Sequence, residues 1–151
     1  MDRLRLDGLA GFGRIMGYEV FMIKLLNPDE VEPTLSAGFF QQVTAYEETD
    51  KAQQILDHMP GLDSGAWDTQ PGIGDSARGW SDVFKSEGDK SQIIAATEID
   101  VRVGTYIGSV RLQTVPLLVV QIKDAQEANK QLAQQLAVAL ADKLSKAGTG
   151  K

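Results

Sequence analysis

The stretch from Ser91 to Val115 constrains the fold more than any other part of the chain. Ile99, Val101 and Val103 alternate with Asp100 and Arg102, and further on Val110 and Leu112 alternate with Arg111 and Gln113. A period of two marks strands that bury one face. Between the runs lies Gly104-Thr105, which fits a two-residue hairpin turn of the primed type, because glycine accepts positive φ at the first central position. Two antiparallel strands with one apolar face cannot stand alone in water. They need further strands and a covering layer.

The rest of the chain supplies both. Tyr18 to Leu25 is aromatic and β-branched enough for a strand, and Gly38 to Tyr46 reads as another. In the second, Phe40, Thr44 and Tyr46 share one face, and Phe39, Val43 and Ala45 the other. Ala52, Ile55, Leu56 and Met59 then form one helical stripe. Asp50 with Gln53 predicts a capping box at its start, Thr49 is a competing cap, and Pro60-Gly61 predicts its stop. Residues 61–75 read as loop, and Ala77 to Phe84 as a third strand. Asp124 to Ala147 predicts a long helix, opened by an Asp124/Glu127 capping box and ended by Gly148. Its expected packing stripe is Leu132, Leu136, Leu140 and Leu144 with Ala125, Ala128 and Ala139. The predicted class is α+β, in the order β-β-α-β-β-β-α: an antiparallel sheet with two helices packed on one face. The 151 residues suit a single domain, 1–151, with 1–14 as an irregular lead-in and 148–151 as a frayed tail.

Charge and residue usage narrow the function classes. The net charge is −6 and the sequence pI about 4.7. Nucleic-acid binding draws on clustered Lys and Arg that displace counterions, and the nearest grouping, Lys143, Lys146 and Lys151, better complements a helix C-terminus. No nucleic-acid partner is expected. Without cysteine, disulfides, thiolate catalysis and thiolate metal sites are excluded, and cytoplasm, periplasm and cell exterior are all compatible. The longest apolar run, Val115 to Val120, is about six residues, far short of a membrane span. Met1-Asp2-Arg3 shows no signal peptide, which fits a native start and equally a chain whose export signal has been cut off.

The motifs that suggest chemistry lack its context. Gly72-Ile73-Gly74-Asp75-Ser76-Ala77 matches G-x-G-x-x-A, but a dinucleotide site needs a strand before it and a helix after it. A tight turn leading into a strand, with Asp75 and Ser76 bonding backbone amides, is the expectation. Gly8, Gly11 and Gly13 precede no Gly-Lys-Ser/Thr. His58 is the only histidine and has no G-x-S-x-G nucleophile to serve. Asp63, Asp68 and Asp75 lack EF-hand spacing. Glu47, Glu48 and Asp50 read as a helix-start charge cluster rather than a pair for glycoside hydrolysis. Trp67 and Trp80 flank the glycine-rich loop, where aromatics line ligand clefts or fill the core.

The run Phe39–Tyr46 into an Ala-containing helix, then Gly72–Ala77, then Val101-Arg102-Val103-Gly104-Thr105-Tyr106-Ile107, then a Leu/Ala-rich C-terminal helix resembles extracytoplasmic bacterial α+β domains. These include PknH-type sensor domains of serine/threonine kinases and related secreted or lipid-anchored proteins. The resemblance implies export across the membrane, an upstream signal or anchor outside this chain, and a sensing, ligand-binding or accessory role. The leading expectation is a non-enzymatic binding or sensor-like domain with a cleft beside residues 61–80, rimmed by Trp67, Asp75, Arg78 and Trp80. Its partner would be a small molecule or a protein; no catalytic residue, metal or cofactor is assigned. The alternatives are an interaction module, homodimeric through the long helix or an edge strand, and a hydrolase using carboxylates or His58.

Overall fold

The computed structural model describes residues 14–23, 36–59, 66–67, 72–86, 89–114 and 117–149. The elements are β1 (Arg14–Ile23), β2 (Ser36–Tyr46), α1 (Thr49–His58), β3 (Ala66–Trp67), β4 (Ser76–Lys85), β5 (Gln92–Val103), β6 (Tyr106–Thr114), β7 (Leu117–Leu118), a 3-10 turn (Val119–Gln121) and α2 (Ile122–Thr149). The class is α+β on an antiparallel sheet, ordered β1-β2-β6-β5-β4-β3, with β7 paired to β5. The predicted strands are all present. The structure adds the two-residue strands β3 and β7 and starts β1 at Arg14, inside the expected lead-in.

The β5–β6 hairpin sets the register of everything else. Gly104 has φ 57° and no other residue type has positive φ among the described residues, as a turn with positive φ at its first central position alone demands. Val103 therefore faces Tyr106, Ile99 faces Val110 and Asp100 faces Ser109. Paired residues share a face, so the sheet has two chemically different sides. One carries Ala77, Ile99, Val101, Val110 and Leu112, packed with Ala133, Ala137, Leu140, Ala141 and Leu144 of α2. Fully burying such an aliphatic side chain contributes about 1.5–3 kcal/mol, so this layer is the main source of stability. At its other end the layer is polar: Ser81 and Thr97 share a 2.9 Å hydrogen bond, and Gln126 of α2 donates to Ser81 at 3.0 Å.

The two helices do not share a face. Ala52 and Leu56 of α1 pack on Tyr46 and Ile107, which lie on the side opposite α2. The strand order and short turns predict both helices on one face. In fact Tyr46 and Ile107 give the polar side an apolar end, and only Glu47 and Glu48 separate β2 from α1. So short a link holds the helix against the end of its own strand.

Helix boundaries and stripes also differ from expectation. The N-cap of α1 is Glu48, which makes no side-chain cap bond; Gln53 instead reaches Asp57, Ser76 and Arg102. No capping box opens α2 at Asp124, because the helix already begins at Ile122 out of the 3-10 turn. It runs through Gly148 to Thr149, so the first half of the expected frayed tail is helical. Its buried ridge is Ala125, Asn129, Ala133, Ala137 and Ala141, joined by Leu140 and Leu144, while Leu132 and Ala139 are exposed. Small residues at i, i+4 bring the helix axis close to the sheet, and a leucine ridge would hold it away. Gly108 completes this approach: a Cβ there would lie 2.6 Å from a Leu140 methyl.

Candidate functional site

On the polar side, the paired strands build two adjacent rungs. The first runs Arg78, Asp100, Ser109, Gln42; the second runs Trp80, Glu98, Arg111, Phe40. Both cross four strands. Asp100 is fully buried, and its Oδ1 accepts the Ser109 hydroxyl at 2.6 Å. Its Oδ2 is buried and meets no N–H or O–H donor among the described residues. The buried Trp80 indole N–H likewise meets no acceptor among them. The Arg111 guanidinium lies 5.4 Å from the Trp80 ring centroid, within cation–π range. The first rung also holds α1, because Arg78 Nη1 donates to the Leu56 carbonyl at 3.0 Å.

Burial pushes the Asp100 carboxyl above its ordinary range, against the opposing pull of the Ser109 hydroxyl and Arg78. A carboxyl in such a place is held neutral more readily than a surface carboxylate. Leaving polar atoms buried without partners costs about 1–3 kcal/mol each. The arrangement is therefore not what stability alone selects, because an apolar side packed like the α2 layer would avoid that cost.

A second polar group ties the turn 72–75 to the hairpin. Asp75 Oδ2 accepts the Gly104 N–H at 2.7 Å and Arg102 Nη1 at 3.2 Å, while the Asp75 N–H donates to the Arg102 carbonyl at 2.9 Å. Arg102 Nε donates to Gln53 Oε1 at 2.7 Å, and Ser76 Oγ to the same oxygen at 2.7 Å. Gly72–Ala77 is thus a tight turn entering a strand, as expected, with Asp75 on a backbone amide. The hydroxyl of Ser76 meets a side chain rather than an amide.

Of the four residues expected at one cleft rim, three have described side chains: Asp75, Arg78 and Trp80. Arg78 and Trp80 stand two apart on one side of β4 and belong to the paired rungs. Trp80 is buried, 4% exposed. Asp75 is half-exposed at the hairpin end, engaged with Arg102. Trp67 contributes its backbone to β3, opposite Gly79, and most of residues 61–71 lies outside the described residues. His58 is exposed, its Nδ1 2.7 Å from the Gln54 carbonyl. Asp63 and Asp68 lie outside the described residues, and no group of three or more potential metal-ligating side chains occurs among the described ones.

Sequence reasoning missed Glu98, Asp100, Ser109 and Arg111. The signal was present: once the turn is fixed at Gly104-Thr105, counting outward pairs 100 with 109 and 98 with 111. An acid facing a hydroxyl and an acid facing a base then fall on neighbouring rungs.

Comparison with family models, with curated proteins and with solved structures gives no match. No helix among the described residues is long and apolar enough to cross a membrane.

Proposed function

We propose that this chain is a non-enzymatic, extracytoplasmic binding or sensor-like domain whose responsive face is the polar side of the sheet around Trp80. The observation that supports the reading is the pair of rungs carrying Arg78, Asp100, Ser109, Trp80, Glu98 and Arg111. Two acids, two guanidiniums and an indole are spent on a side that stability alone would make apolar. The extracytoplasmic part rests on the resemblance of Phe39–Tyr46, Gly72–Ala77 and Val101–Ile107 to bacterial sensor-type domains.

The test is a thermal-shift panel of sugars, lipids, peptides, nucleotides and divalent cations. A ligand that binds only the folded chain stabilises it by about 2.7 kcal/mol at a hundredfold excess over Kd. One class is expected to raise Tm in the wild type and to lose that effect in Arg111→Met. A shift that persists undiminished in Arg111→Met, or no shift with any class, counts against the reading.

A second reading, an interaction module acting as a homodimer, draws on the opposite end of the sheet. Phe84 of β4 and Leu118 of β7 stand on one side of the sheet, paired with Ile94 and Gln92 of β5, and both are exposed, as is the neighbouring Val120, at 85%. Exposed apolar residues grouped in this way favour a protein contact. Sedimentation over a wide concentration range is expected to show a dimer that Val120→Glu dissociates. A monomer at every concentration excludes it.

A further inference from the structure

Two buried polar groups of opposite kind stand on neighbouring rungs of the polar side. Among the described residues the Trp80 indole N–H meets no acceptor and Asp100 Oδ2 meets no donor. Trp80 is 4% exposed and Asp100 is fully buried, so neither group is left to bulk water. Buried polar atoms are nearly always paired, and two unmatched ones of complementary type call for a common explanation.

The contact between Trp80 and Arg111 places both groups over one strand. Trp80 stands on β4 and Arg111 on β6, with Glu98 of β5 between them on the same rung. Adjacent strands lie about 4.8 Å apart, so these two backbones are about 10 Å apart. Their side chains nevertheless approach to 5.4 Å, guanidinium to ring centroid. Both therefore lean inward over β5, which carries Asp100 one rung away on the same side. The groups directly beside Asp100 are committed elsewhere. Arg78, opposite it on β4, donates to the Leu56 carbonyl, and Ser109, opposite it on β6, gives its hydroxyl to Oδ1.

The unmatched pair selects a partner by type. A cation offers donors only, so it leaves the indole N–H unmatched and meets Arg78 and Arg111. An anion offers acceptors only, so it leaves the Asp100 carboxylate unmatched and faces Glu98 as well. A hydroxyl serves both ends at one oxygen, accepting from Trp80 and donating to Asp100. Resting on the binding reading above, we propose that this face takes a hydroxyl group of a neutral polyol or sugar, held between Trp80 Nε1 and Asp100 Oδ2. Glu98 and Arg111 are half-buried, so the Trp80 rung meets solvent at its centre rather than at the indole. The ligand enters there, and its remaining hydroxyls lie against the guanidinium. Water has the same two capacities as a hydroxyl and is the competitor to be excluded.

The experiment follows the indole N–H resonances of the full chain by proton–nitrogen correlation NMR, with the Trp80 signal assigned through Trp80→Phe. Glucose, myo-inositol and glycerol are the probes, and sodium acetate and acetamide are the comparison arms. A polyol is expected to bind saturably and to move the Trp80 indole N–H downfield, as a new acceptor requires. Trp80→Phe and Asp100→Ala should each weaken that binding about tenfold. The double variant should lose little more than either single one, because one hydroxyl serves both groups. If Asp100→Ala does not fold, the wild-type resonance and Trp80→Phe, which keeps an aromatic ring, carry the test. A polyol that leaves the Trp80 indole unmoved, or binds Trp80→Phe undiminished, overturns the proposal. So does an internal water only, read as a water cross-peak to the Trp80 indole N–H that no polyol displaces. An acetate or acetamide response that is lost in Arg111→Met overturns it too, while keeping the binding reading. Silence from every class in the thermal-shift panel and from every probe here removes both.

Discussion

Gly74→Ala is expected to destabilise the fold by about 3 kcal/mol, although Gly74 is exposed and adds no side chain to the core. Its φ is 60°, a left-handed conformation that costs an L-residue roughly 1–2 kcal/mol. A Cβ built there lies 2.6 Å from the Arg102 carbonyl oxygen and 2.6 Å from a Val101 methyl. The turn cannot relieve this by moving away, because that same carbonyl accepts the Asp75 N–H. Retreat loses a hydrogen bond worth about 1 kcal/mol. Gly72 is the control, with φ 84° and nothing within 4 Å of its notional Cβ. Gly72→Ala should show the conformational cost alone, about 1–2 kcal/mol. Urea denaturation of both variants reads the difference, and equal losses would remove the steric argument.

Ile99→Ala is expected to cost about 4 kcal/mol, near the upper end for deletions in a core. Ile99 is fully buried at the centre of the apolar layer. Its partner on one side is Gly79, which has no side chain to move into the space, and on the other Val110. In the same cluster Ala133 and Ala137 of α2 have no length to spare. A site that cannot collapse keeps its cavity. Leu132→Ala is the contrasting case: its residue belongs to the leucine stripe that the sequence suggests, yet it is 39% exposed. Its loss should stay within about 0.5 kcal/mol. A Leu132 effect comparable to that of Ile99 would mean that α2 is packed in another rotation.

The contrast between these residues shows what the sequence made legible. The hairpin was readable because its signals agree: a period of two, a turn residue with the required φ, and a resumed alternation. From it the strands followed, and with them the antiparallel α+β class. The helical stripe was misread because Leu132 and Ala133 are neighbours in sequence, and hydrophobicity alone favours the leucine. Which ridge faces the sheet is decided by how closely the axis approaches, a property of the assembled layers. The position of α1 was misread for a related reason. Glu98, Asp100 and Arg102 look like a solvated edge until the partners Ser109 and Arg111 are counted across and Tyr46 and Ile107 are seen at one end of that side. Of the expected site residues, Arg78 and Trp80 belonged to the cluster because they alternate on β4. Asp75 served the turn, and its loop neighbours gave no comparable signal.

The strand order has a consequence for how the chain reaches its native state. Residues 72–149 supply β4, β5, β6 and α2, and three of those neighbours are sequential in the sheet. Their rungs close over short turns, at small entropic cost. Each β2–β6 rung instead encloses α1, β3, β4 and β5 within its loop. The N-terminal hairpin thus joins a sheet whose other half is assembled by local steps. The slow, non-local part of folding is concentrated at one seam, between β2 and β6, across which the Asp100 rung must extend to reach Gln42.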